Sequence, residues 1–500
     1  MANPPLFDVL TTTADDLRKL IGSGRINSWQ IVESYLSHIE THNTKGAKCR
    51  AIISTPPRVQ LMAWAARLDK ERHEGRLRGP MHGIPILLKL IERGLIILGK
   101  ANLTEFVGLK GVSGWSAVGG MCEPAYIPAG YKIGEKPRGE TTPAGSSTGS
   151  AVGVACGFAP VSLGTETSGS LVSPAAVAGL YALKLTQGSV PLTGIMEVTA
   201  CFDTIGAMGK SALDVALTCD AFSTSKDGSS LASVASSVEF EEVSVGFVDI
   251  EKWRLPAHTQ VGDPEYFKQT VSRIVSDLEL SNWPVIKKSQ SREYQEAKEK
   301  LRENGVKVVD VYLTPPEEYM VGNTNIDDLM DIIIKQQGKN GFERYLKTLE
   351  VSKVRTLEEI IQFNRDHEAV EFHKDYSPNQ DGLTGLVKES KPDADVSEWL
   401  EHCKRWGATE GIDKITSQDG VDVVVCCSDS YFAGVSVAAR YPMAAVPLGY
   451  IESSGRPYGL QAIAPAYEEA KLVKFMAAWD RIFPPRRVPD LDACAKARAD

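Results

Sequence analysis

The chain has little of several things that would assign a function quickly. None of its apolar runs approaches the roughly 20 residues of a membrane-spanning helix. Basic residues do not predominate: 55 Lys and Arg face 64 Asp and Glu, a net charge of -9. That excludes the basic face of a general nucleic-acid binder and a polybasic membrane anchor. The N-terminus, MANPPLFDVLTTTADDLRK, lacks the basic and apolar regions of a secretory signal. The nine cysteines are scattered, with only Cys426 and Cys427 adjacent and no C-x-x-C pair. Neither a zinc site nor a disulfide framework is indicated, and most thiols are expected to be small buried hydrophobes. The expectation that remains is a soluble, cytoplasmic protein. Its 500 residues, 43% of them hydrophobic, can bury a sizeable core.

Hydrophobic periodicity gives the organisation. Thr13 is placed to cap a helix carrying Leu17, Leu20 and Ile21, ended by Gly22 and Gly24. Ser28 is placed to cap a second, with Ile31, Val32, Tyr35, Leu36 and Ile39 on one face. IPILLKL and LIILGKA read as strands. From Thr141 to Gln187 Gly, Ser, Thr and Ala dominate, with valines and leucines between them. Gly145, Gly149, Gly153 and Gly157 recur every four residues, so a helix from Ser150 to Phe158 would have one smooth side for close backbone packing. VSLGTET reads as a strand, Ser168 to Ser170 as a turn, Pro174 as the first residue of a short helix, and Leu180 to Leu185 as a strand. Residues 239–414 are polar, with helical patterns in YQEAKEKLRENG, NIDDLMDIIIKQQG and TLEEIIQFNRDHEAVEFH and a strand in VKVVDVYL. Core character returns in VDVVVCC, YPMAAVPLGY and a helix beginning near Tyr467. The order predicts one domain over 1–500, with a core of about 8–238 and 415–490 and a polar, lid-like insertion of about 239–414.

Four constellations could carry chemistry. GSSTG, Gly145 to Gly149, has the form of a G-x-S-x-G elbow with Ser147 as nucleophile. The elbow needs a buried strand immediately before it, and GEKPRGETTPA reads as a loop. HEAVEFH, His367 to His373, lacks the i, i+4 histidine pair of a zinc helix and reads as a solvated helix face. Ser223 to Lys226 is an S-x-x-K without its companion motifs. The fourth pairs Lys89, a charge inside the oily run IPILLKL, with the Gly/Ser segment. Taken singly, Lys89 reads as a strand-end lysine reaching for water and the segment as tight packing. Together they meet a chemical need. A serine hydroxyl is a weak nucleophile until a base takes its proton. A lysine serves as that base only when neutral, and burial among apolar side chains disfavours its charged form. The turn Thr167 to Ser170 is placed to aim backbone N–H groups at a developing oxyanion.

At these residues the sequence resembles the amidase signature family, serine hydrolases with a Ser-cisSer-Lys triad. GIPILLK is similar to the family's lysine strand, and AGSSTGSAVGVACGFAPVSLGTETSGSLVSPAAVAGLYALKLTQG to its signature segment. ARLDKERHEGRLRGPMHGIPI, LIILGKANLTEF, YPMAAVPLGY and GRPYGL add to the likeness, and the GTETSGS wording resembles the fungal branch. The resemblance implies an α/β fold with a central mixed sheet covered by helices on both faces. It implies Lys89 as base, Ser146 as the bridging serine on a cis peptide, and Ser170 as nucleophile, with Ser146 and Ser170 at the family's 24-residue interval. Thr167, Ser168 and Gly169 would line the oxyanion site beside Ser170, and Ser147 would support by hydrogen bonding or be structural. No metal and no organic cofactor is implied.

The sequence also departs from the family. The lysine is usually followed by a long segment holding a Thr/Gly/Ser-rich stretch and a helix. Here only LIERG separates Lys89 from the next strand. Six residues span about 20 Å when extended, enough for a tight connection or a hairpin but not for a crossover helix. Either the strands pair differently or the register is kept over a strained connection. Loss of the segment would let water reach Lys89, so catalysis is expected to be impaired. Ser168 stands where Gly or Asp is usual, and Ala144 where glycine is frequent. The leading expectation is an amidase acting on a linear, small-molecule amide, as a monomer or homodimer without nucleic acid or membrane. The alternatives are the amidotransferase subunit of the same family and a catalytically inactive relative.

Overall fold

The computed structural model describes residues 5–87, 94–135, 139–223, 228–250, 252–253, 283–391 and 395–499. Lys89 and the Thr224–Lys226 part of the S-x-x-K lie outside these residues.

Eleven strands form one sheet. In chain order they are β1 (Ile52–Ser54), β2 (Pro85–Leu87), β3 (Ile96–Ala101), β4 (Val161–Glu166), β5 (Tyr181–Lys184), β6 (Thr204–Gly209), β7 (Ser244–Val248), β8 (Lys307–Val311), β9 (Val423–Cys427), β10 (Met443–Tyr450) and β11 (Pro457–Ile463). Across the sheet the order is β1-β3-β2-β4-β6-β5-β10-β11-β9-β7-β8. The sheet is mixed: β2 runs parallel to both β3 and β4, whereas β4 is antiparallel to β6. Successive strand residues point to opposite faces. All six residues of β6, all five of β9 and all seven of β11 are buried, so both faces are covered by packed helices.

The helices that position the site are α1 (Ala14–Gly22), α2 (Ser28–His42), α3 (Thr148–Ala155), α4 (Val172–Val177), α5 (Ala212–Asp220), α6 (Trp283–Glu303), α7 (Ile326–Thr348), α8 (Leu357–Asp366), α9 (Asp381–Glu389), α10 (Phe432–Ala439) and α11 (Glu469–Ile482). Thr13 caps α1 in a reciprocal capping box with Asp16. The cap of α2 is Asn27 rather than Ser28, because the Asn27 side chain reaches the Gln30 N–H while Ser28 is already the first helical residue. Two further details differ from expectation. α3 begins at Thr148, two residues early, and Pro174 is the third residue of α4 rather than its first. The glycine stripe does what its spacing suggested. A Cβ on Gly149 would lie 2.4 Å from the Ala51 carbonyl oxygen and 2.5 Å from the Asn102 backbone, and one on Gly153 would lie 2.4 Å from a Leu87 methyl. α3 therefore packs directly on backbone.

β2 and β3 are adjacent and parallel, with Pro85 opposite Ile96 and Leu87 opposite Gly99. The hairpin expectation is thereby corrected, since a hairpin joins antiparallel neighbours. Parallel neighbours usually need a crossover of about a dozen residues or more, and only residues 88–95 are available here.

Residues 239–414 are less separate than their polarity suggested. β7 and β8, from inside this stretch, extend the sheet at one edge. α7, α8 and α9 instead enclose a second, smaller core of Phe342, Leu346, Leu357, Ile360, Ile361, Leu383 and Leu386. HEAVEFH is not one helix: it holds only a four-residue turn, Glu368–Glu371. Eight of the nine cysteines are buried, and all are free thiols.

Candidate active site

The Gly/Ser segment folds into a loop, helix α3 and strand β4 tied together by hydroxyl groups. The Ser147 Oγ donates to the Thr165 carbonyl at 3.0 Å and accepts the Thr165 N–H at 3.2 Å. The Ser150 hydroxyl donates to the Leu163 carbonyl at 2.7 Å, and the Ser162 hydroxyl returns to the Ser150 carbonyl at 2.9 Å. The serines of this stretch thus connect the start of α3 to β4, and small side chains let the two approach. Ser147 is bound to a strand backbone, and a loop rather than a strand precedes it, so the elbow arrangement is absent.

The Gly145–Ser146 peptide bond is cis, as the resemblance implies. Ser146 is buried, and its carbonyl accepts the Thr104 N–H at 3.0 Å. Gly145 passes so close to Thr104 that a Cβ there would lie 2.1 Å from the Thr104 hydroxyl. Ala144 has φ of +54°, in the left-handed region where a β-carbon is disfavoured. This gives a physical reason for glycine to be frequent at that position.

Thr167, Ser168, Gly169 and Ser170 form the turn between β4 and α4. The Ser147 N–H donates to the Ser170 carbonyl at 2.9 Å, so the structure brings Ser146 and Ser170 into one region. Gly169 carries the left-handed conformation, φ +74°, while Ser168 is not among the positive-φ residues. Serine at 168 therefore needs no glycine-like freedom.

Two buried carboxylates brace this turn, and neither stands out in the sequence. Glu166, at the end of β4, accepts the Leu171 N–H at 2.9 Å and the Val172 N–H at 3.0 Å on one oxygen. Asp203 faces the Thr167 side chain and accepts the Val198 N–H at 2.5 Å. Burial raises the Asp203 carboxyl to about 6. Lys184 lies beneath, wholly buried, and donates to the Ser436 hydroxyl at 2.5 Å. Burial lowers its pKa to about 8 against the opposing pull of Glu166 and Glu469. The signal that picks out Lys89, a lysine in an apolar strand, is equally present in LYALKL and marks Lys184 as well.

A cleft of about 140 Å³ opens beside the turn. Its lining includes Gly145, Ser168, Ser173, Ser428, Asp429 and Arg456. Arg456 and Asp429 form an ion pair at 2.8 Å. The arrangement joins a small cleft, a turn that contributes Ser168 to its lining, and two serine-bearing segments held together by backbone hydrogen bonding.

Comparison with known proteins agrees with this geometry. The model of the Amidase family matches residues 88–381. A probable amidase of Arabidopsis thaliana is 25% identical across 97% of this chain and 92% of its own length. The crystal structure of native peptide amidase from Stenotrophomonas maltophilia superposes with a TM-score of 0.75 at 27% identity, covering 96% of this chain and 99% of that one. A glutamyl-tRNA(Gln) amidotransferase subunit from Symbiobacterium thermophilum is 32% identical, but over 41% of this chain and 45% of its own length. The likeness to the amidotransferase is partial, whereas the likeness to the amidases runs the length of the chain. The chain therefore belongs to the Amidase family, and it is an amide hydrolase of the α/β amidase-signature fold.

Proposed function

We propose that this chain hydrolyses a linear amide through an acyl-enzyme on Ser170. Lys89, neutral, accepts a proton from Ser146, which takes one from Ser170. The Ser170 oxygen attacks the amide carbonyl, and the N–H groups of Thr167, Ser168, Gly169 and Ser170 stabilise the oxyanion. The relay returns the proton to the leaving amine, and water releases the acid. The observation that carries this reading is the 2.9 Å bond from the Ser147 N–H to the Ser170 carbonyl, which sets the bridging-serine segment against the nucleophile turn. The short connection between β2 and β3 supports reduced turnover, because it leaves little chain to cover the lysine. The substrate is a small-molecule amide, taken by a cytoplasmic monomer or homodimer without nucleic acid. Among the described residues no helix is long and apolar enough to cross a membrane.

Labelling with a fluorophosphonate tests the assignment. The folded wild-type chain is expected to label and Ser170→Ala to lose the label. Labelling that persists in Ser170→Ala, or that disappears only in Ser147→Ala, would sink it.

A further inference from the structure

The loop from Thr104 to Gly114 is closed at its neck and strained inside. The Gly114 N–H donates to the Thr104 hydroxyl at 2.8 Å, and the Thr104 N–H donates to the Ser146 carbonyl at 3.0 Å. The neck of this loop therefore bears on the proposed bridging serine. Ser113, beside the neck, lines the cleft. Within the loop Phe106 and Val107 have φ of +47° and +53°. That left-handed region is rare for bulky residues and rarer for β-branched ones. Two such residues in succession persist only where the surroundings hold them.

Lys110 supplies that hold. Its side chain has no exposure, and its amine meets Glu105 of the loop at 2.9 Å and Glu371 of the polar stretch at 2.5 Å. The rings of Trp115 and Phe372 lie 5.5 and 5.4 Å from the amine, within the range at which an aromatic face attracts a cation. The second Glu105 oxygen accepts the Ala117 N–H at 2.6 Å. Residues after Glu371 grip the loop backbone. The Ser377 hydroxyl donates to the Lys110 carbonyl at 2.6 Å, and the Val112 N–H donates to the Tyr376 carbonyl at 2.8 Å. The end of HEAVEFH and the four residues after it thus form a strap, and Lys110 fastens it. Lifting the strap would take one of two carboxylates from a buried ammonium, which is costly.

We infer that Lys110, clasped by Glu371, is a positioning residue: it fastens residues 371–377 to the 104–114 loop and, through Thr104, sets the place of Ser146. This rests on the hydrolase reading above and extends it to a part of the chain that does not touch the reacting atoms. The place of Ser146 matters because a proton relay runs only while its groups stay within hydrogen-bond reach.

Fluorophosphonate labelling of the full chain, followed to saturation, separates the limiting rate from the half-saturating concentration. Lys110→Met and Glu371→Ala are each expected to lower the limiting rate about tenfold or more. The half-saturating concentration should stay near the wild-type value, because the cleft lining is unchanged. Lys110→Arg keeps the charge and should recover part of the rate. The double variant is expected to lose no more than Lys110→Met alone, because one fastening cannot be lost twice. Wild-type limiting rates in both single variants, or fully additive losses in the double variant, would overturn the proposal. The Glu371 side chain is partly exposed, so Glu371→Ala keeps the test open if Lys110→Met does not fold. A wild-type chain that never labels would count against the hydrolase reading. Hydrogen exchange at the Thr104 amide then decides the positioning role: faster exchange in Glu371→Ala supports it, and unchanged exchange sinks it.

Discussion

The N–H of Ser147 donates to the carbonyl of Ser170 at 2.9 Å, while the Ser147 hydroxyl both donates to and accepts from the backbone of Thr165. One residue thus holds the loop before α3, strand β4 and the turn after it in a fixed relation. Ser147 sits beside the proposed bridging serine and acts on position.

Ser147→Ala removes both hydroxyl bonds and leaves the part-buried N–H and carbonyl of Thr165 short of partners. The expected loss is about 1–3 kcal/mol of unfolding free energy, read from urea denaturation. Fluorophosphonate labelling should persist, with slower labelling if the turn loosens. Complete loss of labelling in a variant of wild-type stability would contradict the positional role.

Glu166 satisfies two N–H groups at the start of α4 with one oxygen. Glu166→Ala strands both donors in a buried site and is expected to cost roughly 2–5 kcal/mol. Glu166→Gln keeps an acceptor and should recover part of that loss. Identical thermal midpoints for the two variants would show that the carboxylate does not brace the turn.

Gly149→Ala places a methyl group 2.4–2.5 Å from backbone atoms of Ala51 and Asn102. Backbone cannot turn aside as a flexible side chain can, so the helix must move away from the sheet. A penalty of roughly 3 kcal/mol or more is expected, with loss of soluble protein as its extreme. A variant as stable as the wild type would mean that α3 does not pack against β3 this closely.

Asp203 makes stability depend on pH. Burial raises its carboxyl from 3.8 to about 6, so the folded chain holds this proton more tightly than the unfolded chain does. The stability it contributes is fully present below about pH 4 and is lost as pH rises through 6. The amount is on the order of 3 kcal/mol. Urea unfolding of the wild type and Asp203→Asn between pH 4 and 7 should therefore diverge in slope, because asparagine carries no proton to lose. Parallel curves would refute the assignment.

Two lysines compete for the role of base on sequence grounds alone. Lys184→Met is expected to keep fluorophosphonate labelling, because Lys184 is bound to Ser436 in the core. It should lower stability by about 1–3 kcal/mol by leaving the buried Ser436 hydroxyl without the Lys184 donor. Lys89→Met should lose labelling without that cost. The reverse pattern would transfer the role to Lys184.

Much of the fold was legible because it follows local rules. The short apolar runs of β4, β9 and β10, the helical spacing of α1, α2 and α11, and the Gly-x-x-x-Gly stripe of α3 depend on neighbours only a few residues away. The Gly/Ser segment and the resemblance it carries pointed to Ser146, Ser170 and the Thr167–Gly169 turn as the proposed site for the same reason. The shortness of the connection after Lys89 was also visible, as a span too brief for a helix. Whether β2 and β3 would keep a parallel register was not, because register is set by the strands on either side.

Tertiary structure alone decided the rest. Glu166 and Asp203 are ordinary acids in the sequence and become braces only where the turn's N–H groups and Thr167 meet them. Asp429 and Arg456 belong to different segments, and their pairing at the cleft exists only because β9, β10 and β11 lie side by side in the sheet. The sequence by itself determined the family and its fold, since the motifs that carry the resemblance, the proposed nucleophile and the turn among them, lie within short segments. The identity of the groups that surround the substrate depended on long-range contacts, which no local pattern encodes.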